Sequence, residues 1–176
     1  MKIAALVFAL CLTAFAYSQE KVTPVIEGSG YVYPVENAIE RPDPEMEYKI
    51  VVDIREGNGN EKDVVESLEM LARMINLHAV GGVKKENMNI VAVLHGKATM
   101  AVMTNKAYKE KYHLDNPNIS LIKLLKAANV KLFVCGQSTR IRGYAEDDIL
   151  PEIGLSVSAQ TILTTYQLKG YALMKF

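Results

Sequence analysis

Cys135 opens the segment Cys-Gly-Gln-Ser-Thr-Arg-Ile-Arg-Gly, and His95-Gly96 follows an apolar run. These are the side chains whose types suit chemistry. A cysteine thiol has an ordinary pKa of about 8.5, and nearby cations or a helix N-terminus lower it and raise the thiolate fraction. Arg140 and Arg142 are close in sequence, Gly136 permits tight backbone approach, and Ser138 suits the cap of a short helical turn facing the sulfur. On this reading the segment holds a thiolate or persulfide. The plain alternative is a buried core cysteine, since cysteine is among the most buried residue types. The sequence leaves both open. His95 suits acid–base work or tuning of the thiol, although a lone histidine more often makes a structural hydrogen bond.

Other chemistries find little support. His78 and His113 lie apart from His95 without ligand spacing, so no metal site is expected. The chain lacks a Gly-x-Ser-x-Gly elbow, a phosphate loop and a Gly-x-Gly-x-x-Gly turn, and no cofactor is expected. Met70, Met74, Met100 and Met103 sit at helical spacing and read as core filler. Glu146-Asp147-Asp148 reads as a solvated helix start.

The reactive candidates fall where strands end. Residues Tyr48 to Ile54 form a near-continuous β-branched run, as in a strand covered on both faces. Val64, Val65, Leu68, Leu71, Ala72 and Ile75 then recur at helical spacing up to Gly81-Gly82. Asn89 to Leu94 is a second strand, ending at His95-Gly96. Helix is expected from Ala98 to about Tyr112 and again from Ile119 to Ala128, the latter with Asn118 as N-cap. Lys131 to Val134 is a third strand, ended by Cys135-Gly136. A weaker strand (Ile153 to Val157), a helix through Ala159, Ile162, Leu163 and Tyr166, and a last strand (Tyr171 to Phe176) complete the alternation. This rhythm predicts a three-layer α/β/α sandwich with a mostly parallel five-stranded sheet. In such sheets ligands collect at the carboxyl ends of the strands, so His95 and Cys135 would share a crevice if their strands are neighbours.

Two further segments precede this domain. Residues 1–18 carry a basic start, an apolar run and small residues at Ala16 and Ser18, the pattern of a secretory signal peptide. The expectation is an exported protein, periplasmic or extracellular, with no membrane span after cleavage. Cleavage would remove Cys11 and leave Cys135 as the lone cysteine, unable to form an intrachain disulfide. Residues 19–47 hold four of the six prolines and read as an extended arm before the domain at 48–176. The 176 residues balance 20 basic against 20 acidic side chains. That neutrality argues against nucleic-acid binding, which needs a surplus of Lys and Arg.

The segment Val130-Lys-Leu-Phe-Val-Cys-Gly-Gln-Ser138, with Arg142-Gly143, Leu168-Lys-Gly-Tyr171 and Val91-Ala-Val-Leu-His-Gly96, resembles the DsrE/DsrF-like family of sulfur-handling proteins. The resemblance runs from Tyr48 to Phe176. It implies a compact α/β sandwich assembling into trimers or hexamers, with the cysteine loop near subunit contacts. It also implies that Cys135, flanked by His95, Gly136, Gln137, Ser138, Arg140 and Arg142, can accept sulfur as a persulfide and pass it to a partner protein. Such a protein is at most a sulfurtransferase-like carrier. The competing expectation is a non-catalytic oligomeric module that binds a small molecule or a protein.

Overall fold

The computed structural model describes residues 20–57 and 60–176. The expected leader at 1–18 lies outside the described residues. Five strands, β1 (Tyr48–Ile54), β2 (Met88–Leu94), β3 (Lys131–Cys135), β4 (Gly154–Ser156) and β5 (Ala172–Lys175), form one sheet in the order β4-β3-β2-β1-β5. Every pairing is parallel. Five α-helices accompany them: α1 (Glu66–Val80), α2 (Asn105–Tyr112), α3 (Ile119–Ala127), α4 (Gly136–Ile141) and α5 (Ala159–Leu168). The expected α/β sandwich is present, and its sheet is parallel throughout.

Side chains alternate across a strand, and that alternation sorts the core. Ile50, Val52 and Ile54 of β1, Ile90, Ala92 and Leu94 of β2, and Leu132 and Val134 of β3 share one face. They pack with Leu68, Leu71 and Ile75 of α1 and Leu121, Ile122 and Leu125 of α3. The opposite face carries Val93 and Cys135 against Ala159, with Phe133, Ile162 and Leu163 around them. Here α5 is the cover. Both faces are buried at β1 and β2, which explains their unbroken apolar sequence.

Three expectations change in detail. The helix predicted from Ala98 to Tyr112 is divided: a 3-10 helix spans Gly96–Val102, Met103 bridges Ile149, and α2 starts after Thr104, whose side chain accepts from the Ala107 amide. Asn118 occupies the N-cap position of α3 as expected, but its side chain makes no capping bond; its Oδ1 instead accepts from Val65 N at 2.7 Å, tying the starts of α1 and α3 together. The stretch after Cys135 is helical from Gly136 onward, so Cys135 itself, and not Ser138, occupies the N-cap position.

The proline-rich segment is strapped to the domain. Val22 and Val32 pair antiparallel, and Ile26 and Val32 are buried. Asn76 of α1 holds the loop between them: its Oδ1 accepts from the amides of Val25 (3.0 Å) and Ile26 (2.9 Å), and its Nδ2 donates to the carbonyls of Ser29 (2.9 Å) and Gly30 (3.0 Å). Gly30 has a φ of +61°, and a Cβ there would collide with the Arg73 backbone. Only glycine fits.

Candidate functional site

The strand order makes β2 and β3 neighbours, with Leu94 opposite Val134. His95 and Cys135 therefore leave the sheet side by side at the carboxyl ends, where the sequence pattern placed them. Cys135 ends β3 and begins α4 without an intervening loop. The tight junction depends on Gly136, because a Cβ there would stand 2.6 Å from the Ser156 carbonyl oxygen of β4.

Cys135 is buried, with 5% of the residue exposed. Burial is the largest influence on it and pushes its pKa up. The Ser138 hydroxyl and the backbone N–H groups of Ser138, Ala159 and Gln137 act the other way, and together they hold the pKa below the ordinary cysteine value. Gln137 and Ser138 lie in the first turn of α4, and Ala159 is the first residue of α5. Unpaired amides at helix starts carry partial positive charge. The sulfur thus sits among donors from two helices, one before β4 and one after it.

Ser138 links this cluster to β2. Its Oγ accepts from the Gly96 amide at 3.1 Å. The neighbouring His95 places Nε2 2.6 Å from Asp53 Oδ1 on β1, with 20% and 14% of their side chains exposed. Gln137 Nε2 donates to the Val157 carbonyl at 3.3 Å, which ties α4 to the chain entering α5. The ends of β1, β2 and β3 thus bring together Asp53, His95, Ser138 and Cys135.

The arginines do not join them. Arg140 and Arg142 are exposed, and neither contributes to the shift of the thiol. Arg142 instead lines a separate cavity with Glu110, Lys111, Tyr144 and Asp148. Sequence reading missed two participants. Asp53 was hidden inside a hydrophobic strand, though a single acid among β-branched residues is a signal in itself. The Ala159 amide carries no side-chain signal at all.

Among the described residues, no three His, Cys, Asp or Glu side chains gather to hold a metal ion, and no helix is long and apolar enough to cross a membrane. Chemically, the arrangement stabilises an anionic sulfur by hydrogen bonds and helix-end dipoles.

Comparison with known proteins gives a consistent picture. The model of the DsrE/DsrF-like family matches residues 66–176. A protein of unknown function from Methanobacterium thermoautotrophicum, MTH1491, is similar in structure with a TM-score of 0.54 and 19% identity, over 73% of this chain and 99% of its own. The ychN protein from E. coli is similar with a TM-score of 0.54 and 18% identity, over the same shares of 73% and 99%. At these identities the likeness is one of fold. No curated protein matches the sequence.

Proposed function

We propose, since this chain belongs to the DsrE/DsrF-like family, that Cys135 is its working residue and that the protein carries sulfur as a cysteine persulfide. The observation that carries this reading is the ring of donors from α4 and α5 that favours the thiolate against the effect of burial. The thiolate attacks the terminal sulfur of a hydropersulfide donor. One sulfur–sulfur bond forms at Cys135 Sγ, the donor's own sulfur–sulfur bond breaks, and the donor departs as its thiolate. The same donors that hold the thiolate then hold the persulfide anion. An acceptor thiolate removes the outer sulfur and returns Cys135 to its starting state.

Exposed Leu155 and Val157 lie on β4 and just beyond it, beside Gly136 next to the thiol, and exposed Ile141 ends α4. They support a homo-oligomeric contact, or docking of a sulfur donor or acceptor protein, beside the site. The leader pattern at 1–18 supports export to the periplasm or beyond.

The test is a donor incubation followed by intact-mass measurement. The protein should gain a single sulfur atom, and Cys135→Ser should gain none. A chain that takes up no sulfur at neutral pH overturns the carrier. The burial of Cys135 favours one other reading, a non-catalytic binding module with a structural cysteine. Native thiol labelling separates the two: rapid labelling supports the carrier, and labelling only after denaturation supports the module.

A further inference from the structure

A second cavity, of about 330 Å³, opens at the amino ends of β1 and β5, the opposite end of the sheet from Cys135. Met46, Met74, Met174 and His78 line it, with Tyr48 and Glu47. The three methionines and His78 come from three parts of the fold: the chain before β1, helix α1 and strand β5. Met74 and His78 are four residues apart on α1, a spacing that puts both side chains on one face of the helix.

The chemistry of the available donors is selective. His78 Nδ1 lies 2.8 Å from the Met74 carbonyl oxygen. A carbonyl only accepts, so Nδ1 donates to it, and Nε2 is the ring nitrogen left to serve as a ligand. Metal-binding histidines are held in this way, with the second ring nitrogen donating to a backbone carbonyl. The one carboxylate at the rim is engaged: Glu47 Oε1 accepts from Asn89 Nδ2 at 2.7 Å, and Oε2 pairs with Lys49 at 3.2 Å. With Lys49 held in that pair, the soft donors that line the cavity are three thioethers and the His78 imidazole, beside the Tyr48 phenol. Thioether sulfur is a soft ligand that selects cuprous copper, whereas Mg²⁺ and Ca²⁺ require oxygen. Core filling accounts for Met74, which is buried, but not for Met46 and Met174, which are 52% and 40% exposed and line the same cavity.

We propose that Met46, Met74, Met174 and His78 form a binding site for a single soft monovalent cation, Cu(I). The site is independent of the Cys135 reading. It needs no electron transfer, because the ion binds in the cuprous state and stays so.

The experiment is an anaerobic competition between the protein and a chromogenic Cu(I) chelator. It is run on the full chain carrying Cys135→Ser, so that the thiol contributes nothing. A single equivalent of Cu(I) should be retained, with Zn(II) failing to displace it. Met46→Leu and Met174→Leu preserve side-chain volume at exposed positions, and each should weaken binding by about tenfold or more. Titration with Ag(I) as a redox-inert substitute should move the methyl resonances of Met46, Met74 and Met174 and leave those of Met100 and Met103 in place. Retention of no copper by the Cys135→Ser protein overturns the proposal. So does an unchanged affinity in the Met46→Leu/Met174→Leu double variant.

Discussion

The Ser138 hydroxyl oxygen accepts the Gly96 amide hydrogen at 3.1 Å, and this bond ties the first turn of α4, just past β3, to the chain leaving β2. A hydroxyl that accepts through a lone pair keeps its own proton free to donate. The proton serves the Cys135 sulfur, where Ser138 is the largest of the influences lowering the pKa. Gly96 belongs to the strand end that also carries His95, so the thiol is coupled to the neighbouring strand through one oriented hydroxyl.

Removing that hydroxyl should therefore raise the Cys135 pKa. A hydrogen bond to a charged group is worth about 1.5–3 kcal/mol, or roughly one to two pH units. In Ser138→Ala the pH profile of thiol alkylation should move to higher pH by about that amount. The fold should persist, because the lost side chain leaves only the Gly96 amide to find water. A superimposable profile would show that the backbone amides alone set the thiol.

The arginines make the opposite prediction. Neither Arg140 nor Arg142 bears on the sulfur, so the Arg140→Ala/Arg142→Ala double variant should keep the alkylation profile of the parent. A shift of one pH unit or more would mean that guanidinium charge reaches the site.

The lowered thiol pKa also fixes the sign of a stability effect. Deprotonation occurs at lower pH in the folded chain than in the unfolded one. The folded state thus gains stability as pH rises through its own thiol pKa, and the gain is complete above the unfolded value of about 8.5. Falling pH removes it. Urea midpoints of the parent and of Cys135→Ala should diverge in the parent's favour as pH is raised from about 6 to 9. Parallel curves would indicate an unshifted thiol.

Tyrosine chemistry supplies a check in the alkaline range. Burial, reinforced by the neighbouring Tyr144, pushes Tyr112 up to about 12, and burial raises Tyr108 as well. Their raised pKa values help folding below the ordinary tyrosine value of about 10 and cease to do so as pH passes the folded values. Phenolate absorbance should therefore show some of the tyrosines ionising only near pH 12, or together with unfolding. Ionisation of all nine in a single step near 10 would contradict the packing.

Much of this fold was written locally. A parallel strand buried on both faces needs apolar residues throughout, so Ile50 to Ile54 announced itself, and the stripe Leu121, Ile122, Leu125 announced α3. The break at Met103 did not, because it depends on distant partners: Leu150 N donates to the Val102 carbonyl at 2.8 Å and Thr104 N to the Asp148 carbonyl at 2.7 Å. The candidate site divides in the same way. Cys135, Gln137 and Ser138 are contiguous and were legible, whereas Ala159 reaches the sulfur only through the pairing of β3 with β4. Arg140 and Arg142 misled because nearness along the chain is not nearness in space; Arg140 lies on the exposed side of α4, and Arg142 is exposed just past its end.

Asn76 is the residue on which attachment of the proline-rich segment turns. It is fully buried, and its single amide satisfies two backbone N–H groups and two carbonyls of residues 25–30. A buried polar group left without a partner costs about 1–3 kcal/mol, and Asn76→Leu leaves four. Water entering the loosened loop would meet some of them, so a loss of about 2–4 kcal/mol in urea unfolding is expected. Asp in place of Asn keeps the acceptor but loses both donors, so it should fail to rescue, whereas Gly30→Ala should reproduce the defect by collision with the Arg73 backbone. Limited proteolysis reads the consequence directly: in Asn76→Leu the segment from about residue 20 to 47 should be cut first, while the sheet domain resists. Equal protection of that segment in parent and variant would show that Ile26 and Val32 hold it by burial alone.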